Sequence, residues 1–217
     1  MDPSDAADAI SEVGEDEEAA AKGKSGDEKF RARAALTIAI MAMLLAITSL
    51  GGGNVAEDIM DNNIQASNRW AFYQAKNDRQ TANKIAADEL EVQIQLNGAS
   101  ITPEMRTLLE KRVQQYKETA ARYDDEPSKE EPDNPLKGDG KKQLAAQAKY
   151  FEEQRNLAMK QDTNFDFAEA LFQIAIVLAS VAILSYSRMI LKLSIVVGVV
   201  STILMLNGYF LFFALPF

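Results

Sequence analysis

The pattern of apolar and polar positions divides the chain into three long uncharged apolar runs, Ala34 to Ala56, Ala170 to Ser187 and Leu193 to Phe217, separated by segments crowded with charge. A helix rises 1.5 Å per residue, so roughly 20 apolar residues cross the hydrocarbon of a bilayer. Each run therefore predicts a transmembrane helix, placed at 34–53, 167–187 and 190–214. Between the first two spans, residues 54–166 are rich in Ala, Gln, Glu, Lys and Leu, which favours helix nearly throughout. Breakers gather in two places. At Asn97-Gly98-Ala99-Ser100-Ile101-Thr102-Pro103, Gly98 can take a left-handed C-terminal position, Thr102 can cap the next helix and Pro103 suits its first turn. From Asp124 to Gly140, Pro127, Pro132, Pro135, Gly138 and Gly140 lie among many charges and predict an irregular, mobile loop. The insert then reads as helices at about 54–96, 103–123 and 141–166 with a loop at 124–140, the first helix continuous with span one and the last with span two.

Periodicity says how these helices pair. The second carries Leu109, Val113, Tyr116, Ala120 and Tyr123 at four-three spacing along one seam, which another helix must cover. On the third the seam runs Leu144, Ala148, Phe151 and Ala158; on the first it reads Ala71, Ala75, Ala82, Ile85, Val92 and Leu96, with Asp78 and Glu89 interrupting. The first helix should be roughly 65 Å long, matched by about 30 Å in the second and about 40 Å in the third. These lengths predict that the second packs antiparallel on the distal half of the first and the third on its proximal half. The expected fold class is an all-α membrane protein: three transmembrane helices and a long helical hairpin, or coiled-coil, insert between spans one and two.

Overall composition hides this division, since 25% charged residues and a mean hydropathy of -0.18 suit an ordinary soluble chain. The net charge of -9 offers no basic stripe for phosphates and excludes nucleic acid as an expected partner. Residues 1–33 open with Asp2, Asp5, Asp8, Glu12 and the run Glu15 to Glu18, a composition that predicts a disordered acidic tail. The long acidic lead and the absence of a small-x-small cleavage site make the first span an anchor rather than a signal peptide. Lys22, Lys24, Lys29, Arg31 and Arg33 precede that span, and Arg188 and Lys192 occupy the turn between spans two and three. Positive charge stays inside, so the N-terminus and this turn are expected in the cytoplasm, with the insert and the C-terminal end outside.

Cysteine and histidine are absent, which removes thiol nucleophiles, imidazole bases and the commonest zinc ligands. Residues 131–140 lack the alternating ligands of a calcium loop, and pairs such as Asp88/Glu89 and Glu152/Glu153 read as solvated helix faces. No phosphate loop, nucleophile elbow or dinucleotide fingerprint is present. No enzyme activity, metal or cofactor is expected.

The most distinctive stretch is Ile64-Gln65-Ala66-Ser67-Asn68-Arg69-Trp70-Ala71-Phe72-Tyr73-Gln74-Ala75-Lys76. Trp70, Tyr73 and Gln74 share a helical face flanked by Arg69 and Lys76. Two readings stand: this face packs on the third insert helix near Tyr150, Phe151 and Leu157, or it docks another subunit, since Trp, Tyr and Arg dominate interface hot spots. Here the chain resembles a bacterial family of unknown function, domain-of-unknown-function family 4337, with a second point of likeness at Leu171-Phe172-Gln173-Ile174-Ala175-Ile176. The resemblance implies one span, a helical insert and two further spans, but no reaction or ligand.

Inside the lipid, small residues recur four apart at Ala35/Ala39, Ala42/Ala46, Ala175/Ala179 and Ser194/Gly198, spacing that suits close helix packing within a bundle or between protomers. Gln173 and Asn207 are expected to hydrogen-bond across helices. The leading expectation is a non-enzymatic scaffold or accessory subunit of the bacterial inner membrane, its insert binding copies of itself or an envelope partner. The alternative is an oligomeric channel or transporter component, with span three lining a path past Ser194, Ser201 and Gly208.

Overall fold

The computed structural model describes residues 3–98 and 100–214, with side chains described from Gly26 onward. Four helices follow one another: α1 (Pro3–Asn97), α2 (Pro103–Asp124), α3 (Lys141–Ser185) and α4 (Arg188–Phe210). Among the described residues the chain is all-helical, with one isolated bridge between Pro127 and Gly138. Helices α1, α3 and α4 are each long and apolar enough to cross a membrane. The acidic tail expected over 1–33 lies, as far as Ser25, outside the residues whose side chains are described. From Gly26 the chain is helical and runs straight into the first apolar run.

Two compact units divide the chain, residues Met1–Ala56 with Met159–Phe217, and residues Glu57–Ala158. The first unit is built from the apolar runs. On α3, Phe165, Ala168, Phe172, Ala175, Ala179 and Ala182 are buried at three-four spacing, and on α4 Leu191, Ser194, Gly198, Ser201, Met205 and Gly208 repeat the pattern. On α1 the matching row is Ala34, Met41, Thr48 and Val55, seven apart. Small side chains on these faces let the helix backbones approach, the condition for packing where lipid supplies no hydrophobic drive. Ser194 Oγ donates to Ala175 O at 2.7 Å, tying α4 to α3. Thus the face of Ser194, Ser201 and Gly208, which the sequence offers as a path lining, is filled by helix packing.

Phe165 sits where three backbones converge. Its ring meets Tyr209 edge-on at 4.9 Å, and a Cβ placed on Gly51 or Gly208 would come within 2.9 Å of it. Glycine at these two positions makes room for the ring. At the same end, Asn207 Nδ2 donates to Asn164 Oδ1 at 2.7 Å and to Phe213 O at 3.0 Å, while its Oδ1 accepts from Phe213 N at 3.0 Å. Asn207 thus bonds across helices and closes the end of α4, where Leu211 turns left-handed. Gln173 does not join it: it lies exposed, and its neighbours are the apolar Ile174 and Val177 of the same face. At the opposite end Arg31 stacks over Tyr186, in the α3–α4 turn, at 4.8 Å.

The second unit corrects the expected seam of α1. Ala71, Ala75, Ala82, Ile85, Val92 and Leu96 are all exposed. The buried row is Ala66, Gln80, Ala87 and Ile94, with the half-buried Tyr73 in step, and successive members stand seven apart. It contains a glutamine because that side chain is bonded: Gln80 Nε2 donates to Ala120 O at 3.0 Å and to Asp124 Oδ1 at 3.3 Å. Ala87 and Ile94 pack with Val113, Leu109 and Tyr116 of α2, and Lys117 pairs with Glu91 at 2.6 Å. Further down α1, Lys141 reaches Asn77 at 2.9 Å and Arg155 reaches Asn63 at 3.1 Å. The chosen faces of α2 and α3 are the buried ones, including Val113, Ala120, Leu144, Ala148 and Ala158.

At the breakers, Thr102 caps α2 by accepting from Met105 N at 3.3 Å, with Pro103 in the first turn. Gly98 does not turn left-handed; Gly138 is the one positive-φ glycine among the described residues, and Ser100 N closes the α1–α2 turn on Asn97 O at 2.8 Å. The loop after α2 has irregular backbone, yet it is fastened: Asp139 N donates to Glu126 O at 2.9 Å and Lys137 N to Asn134 O at 3.0 Å, alongside the Pro127–Gly138 bridge.

Candidate functional site

The residues of the Trp70 stretch meet α3 and the base of the loop. Trp70 is half-buried, and its Nε1 donates to Glu152 Oε1 at 2.8 Å. Glu152 is therefore not merely part of a solvated pair. Tyr73 meets Trp70 edge-on at 5.5 Å and carries the Lys141 ammonium over its ring at 5.6 Å. Lys76 Nζ pairs with Glu126 at 3.2 Å and lies 5.8 Å from the Tyr123 ring centroid. Gln74 is exposed. Four of the five singled-out residues thus face the body of their own unit, and the exposed aromatic of the stretch is Phe72, 58% exposed. Leu157 stays exposed, whereas Tyr150 and Phe151 come near Arg69.

Charge organises the loop base. Asp125 accepts from Gln143 Nε2 at 2.7 Å and from Lys142 Nζ at 3.0 Å, and these bonds hold its carboxyl below the ordinary value of 3.8. The same contact to Asp125 raises Lys142 above 10.5. Lys141 adds a longer pair to Asp124 at 3.7 Å.

Arg69 opens onto a cavity of about 340 Å³ lined also by Leu136, Lys137, Gly138, Asp139, Gln147, Tyr150 and Phe151. Gln147 is nine-tenths buried and donates from Nε2 to Gly138 O at 3.0 Å. Its Oε1 and the Nε of Arg69 are both buried without a hydrogen-bond partner. Sequence reasoning marked Arg69 but missed Gln147, Lys141 and Glu152, because their roles depend on the register of α3 against α1 and not on any local pattern. Gly138 carried the only readable mark, a glycine after a run of prolines; its φ of 115° is one that other residues rarely adopt. Among the described residues no cluster of acidic side chains is arranged to hold a metal ion.

A family model described as "Domain of unknown function (DUF4337)" matches residues 30–211. No curated protein and no solved structure matches the chain.

Proposed function

The chain belongs to this family of unknown function, and on that premise we propose that it is a non-enzymatic membrane scaffold whose helical insert pairs with the insert of a second copy. The observation that carries the proposal is the free seam on α1. Ala71, Ala75, Ala82, Ile85, Val92 and Leu96 lie on the face of α1 opposite its buried row, in a four-three register interrupted at Asp78 and Glu89, and the last three are 52%, 51% and 78% exposed. An apolar stripe of that period on a solvated helix is suited to a second helix of the same period. A like copy supplies one without further assumption. Ala35, Ala39, Ala42 and Ala46 are also exposed on α1, at the small-residue spacing that favours helix association in lipid. Trp70 and Tyr73 serve in this reading as internal struts of a helical hairpin, with α2 and α3 both folded on α1.

We place the protein in a bacterial inner membrane, with the basic approach to span one and the α3–α4 turn in the cytoplasm and the insert outside. The positive-inside rule supports this, as does the stacking of Arg31 on Tyr186, which brings the two basic segments to one end of their unit.

The absence of cysteine allows a direct test. Val92→Cys should form disulfide-linked dimers on oxidation in native membranes, and Ile85→Glu in the same chain should abolish them. No dimer at Val92→Cys, or equal linking at the buried Ala87→Cys, would refute pairing through this seam.

A further inference from the structure

We propose that the end of the first unit where α3 turns into α4 is a docking surface for the headgroups of anionic phospholipids, organised around a guanidinium that Tyr186 holds in place. All three apolar runs stop here: Arg33 stands immediately before Ala34, and Arg188 and Lys192 precede Leu193. Charged side chains at the limits of a span lie at the level of the lipid phosphates. The basic segments also meet in space. Phe30 and Ile38 of α1 pack on the buried cluster of Ala34, Ala179, Ala182 and Leu191, which brings Arg31 and Arg33 to the first turn of α4. Lys29, Arg31, Arg33, Arg188 and Lys192 are all exposed, with Asp27 and Glu28 as the acids of this end. None of the five forms an ion pair with a described residue. The other end of the unit has the opposite sign, with Asp162, Asp166 and Glu169 against Lys160.

A backbone feature gives this cluster a fixed point that net charge alone does not supply. Tyr186 is left-handed, with φ of 49°, and Ser187 N donates to Ala182 O at 3.2 Å. That bond closes a helix terminus whose left-handed position glycine usually fills. A tyrosine there is strained. Its ring lies under the Arg31 guanidinium, 4.8 Å from the centroid. Stacking fixes the guanidinium plane and leaves its N–H edges open to a phosphate, which they can meet with two parallel bonds. The ring itself is half-buried, a tyrosine at the depth where aromatic side chains settle in a bilayer. A net positive end favours lipids of net negative charge over phosphatidylcholine, whose ammonium cancels its own phosphate. A soluble anion lacks the acyl chains that hold a phosphate at this depth. The surface rests on the three spans and not on the α1 seam, so its test does not involve dimer formation.

The experiment reconstitutes the full chain in phosphatidylcholine vesicles and compares, by electron paramagnetic resonance, how much spin-labelled phosphatidylglycerol and spin-labelled phosphatidylcholine is immobilised beside the protein. Phosphatidylglycerol should be favoured at least about threefold at low salt, and the preference should fall toward parity in about 1 M NaCl, where screening is nearly complete. Tyr186→Gly keeps every charge and suits the left-handed turn, so the chain should stay folded while the preference falls at least about twofold. The double variant Arg188→Gln with Lys192→Gln should also lower it, whereas Lys160→Gln, at the other end, should leave it unchanged. Equal association of the two lipids would overturn the proposal. So would a preference untouched by Tyr186→Gly or by the double variant, or one lowered equally by Lys160→Gln. A preference abolished by millimolar inorganic phosphate at constant ionic strength would reassign the cluster to a soluble anion and overturn it as well.

Discussion

Gln80 and Ala87 show, residue by residue, why the inner face of α1 is hard to read. Choosing the largest apolar side chains selects Ile85, Val92 and Leu96, which are exposed; the buried row relies on two alanines, an isoleucine and an amide. Burial of an amide is permitted once its hydrogens have acceptors, and Gln80 finds them on Ala120 and Asp124 of α2. Those acceptors come from elsewhere in the chain, so composition and spacing on α1 alone do not disclose them. Substitution distinguishes the two faces. Ala87, 1% exposed, has no room for a larger side chain, and Ala87→Leu should cost about 1–3 kcal/mol of stability by overpacking. Ala82→Leu on the free face should stay within about 0.5 kcal/mol. Denaturant unfolding followed by helical circular dichroism measures both, and equal losses would contradict the assigned faces. Arg69 and Trp70 stand between these extremes: their residue types are conspicuous, but the bond of Trp70 to Glu152 and the cavity that Arg69 shares with Gln147 depend on the fold.

Among the elements, the helices were legible and the loop was not. Propensity, the Thr102 cap and Pro103 located α2, and its seam at Val113 and Ala120 is the buried one. Proline and charge marked residues 124–140 as irregular, but the closure of this segment runs through backbone atoms, which carry no sequence label. Asp139 N to Glu126 O and the Pro127–Gly138 bridge arise from the turn at Gly138. Asp125 then joins that base to α3. Its carboxyl lies below 3.8 in the folded chain because Gln143 and Lys142 donate to it. A lowered carboxyl contributes stability that is present above 3.8 and is lost as pH falls through the folded value. Carboxyl-resolved NMR should find Asp125 titrating below 3.8, with Gln143→Leu moving it upward. A native value at or above 3.8 would discount both bonds.

At the scale of the whole molecule, the spans were the most readable feature, because lipid accepts only long uncharged runs and tolerates few alternatives to helix. Their interior detail was less so. Asn207 and Gln173 are both amides in apolar runs, but Asn207 bonds to Asn164 and Phe213 whereas Gln173 lies exposed. The proposed orientation is tested by cysteine labelling. Lys129→Cys, on the exposed loop, should react with an impermeant maleimide in intact spheroplasts, and Arg188→Cys only after the membrane is opened. The reverse order would invert the topology.

The inner and outer rows of α1 in the second unit share one seven-residue period. An undistorted helix drifts about 20° per heptad against such a period, and a gentle left-handed supercoil cancels the drift. A winding that holds Ala66, Tyr73, Gln80, Ala87 and Ile94 in line would therefore hold Ile85 and Val92 in line on the other side. A deletion of one residue upstream of both rows would turn them together by about 100°, so the inner contacts and the outer stripe are inherited as a single phase.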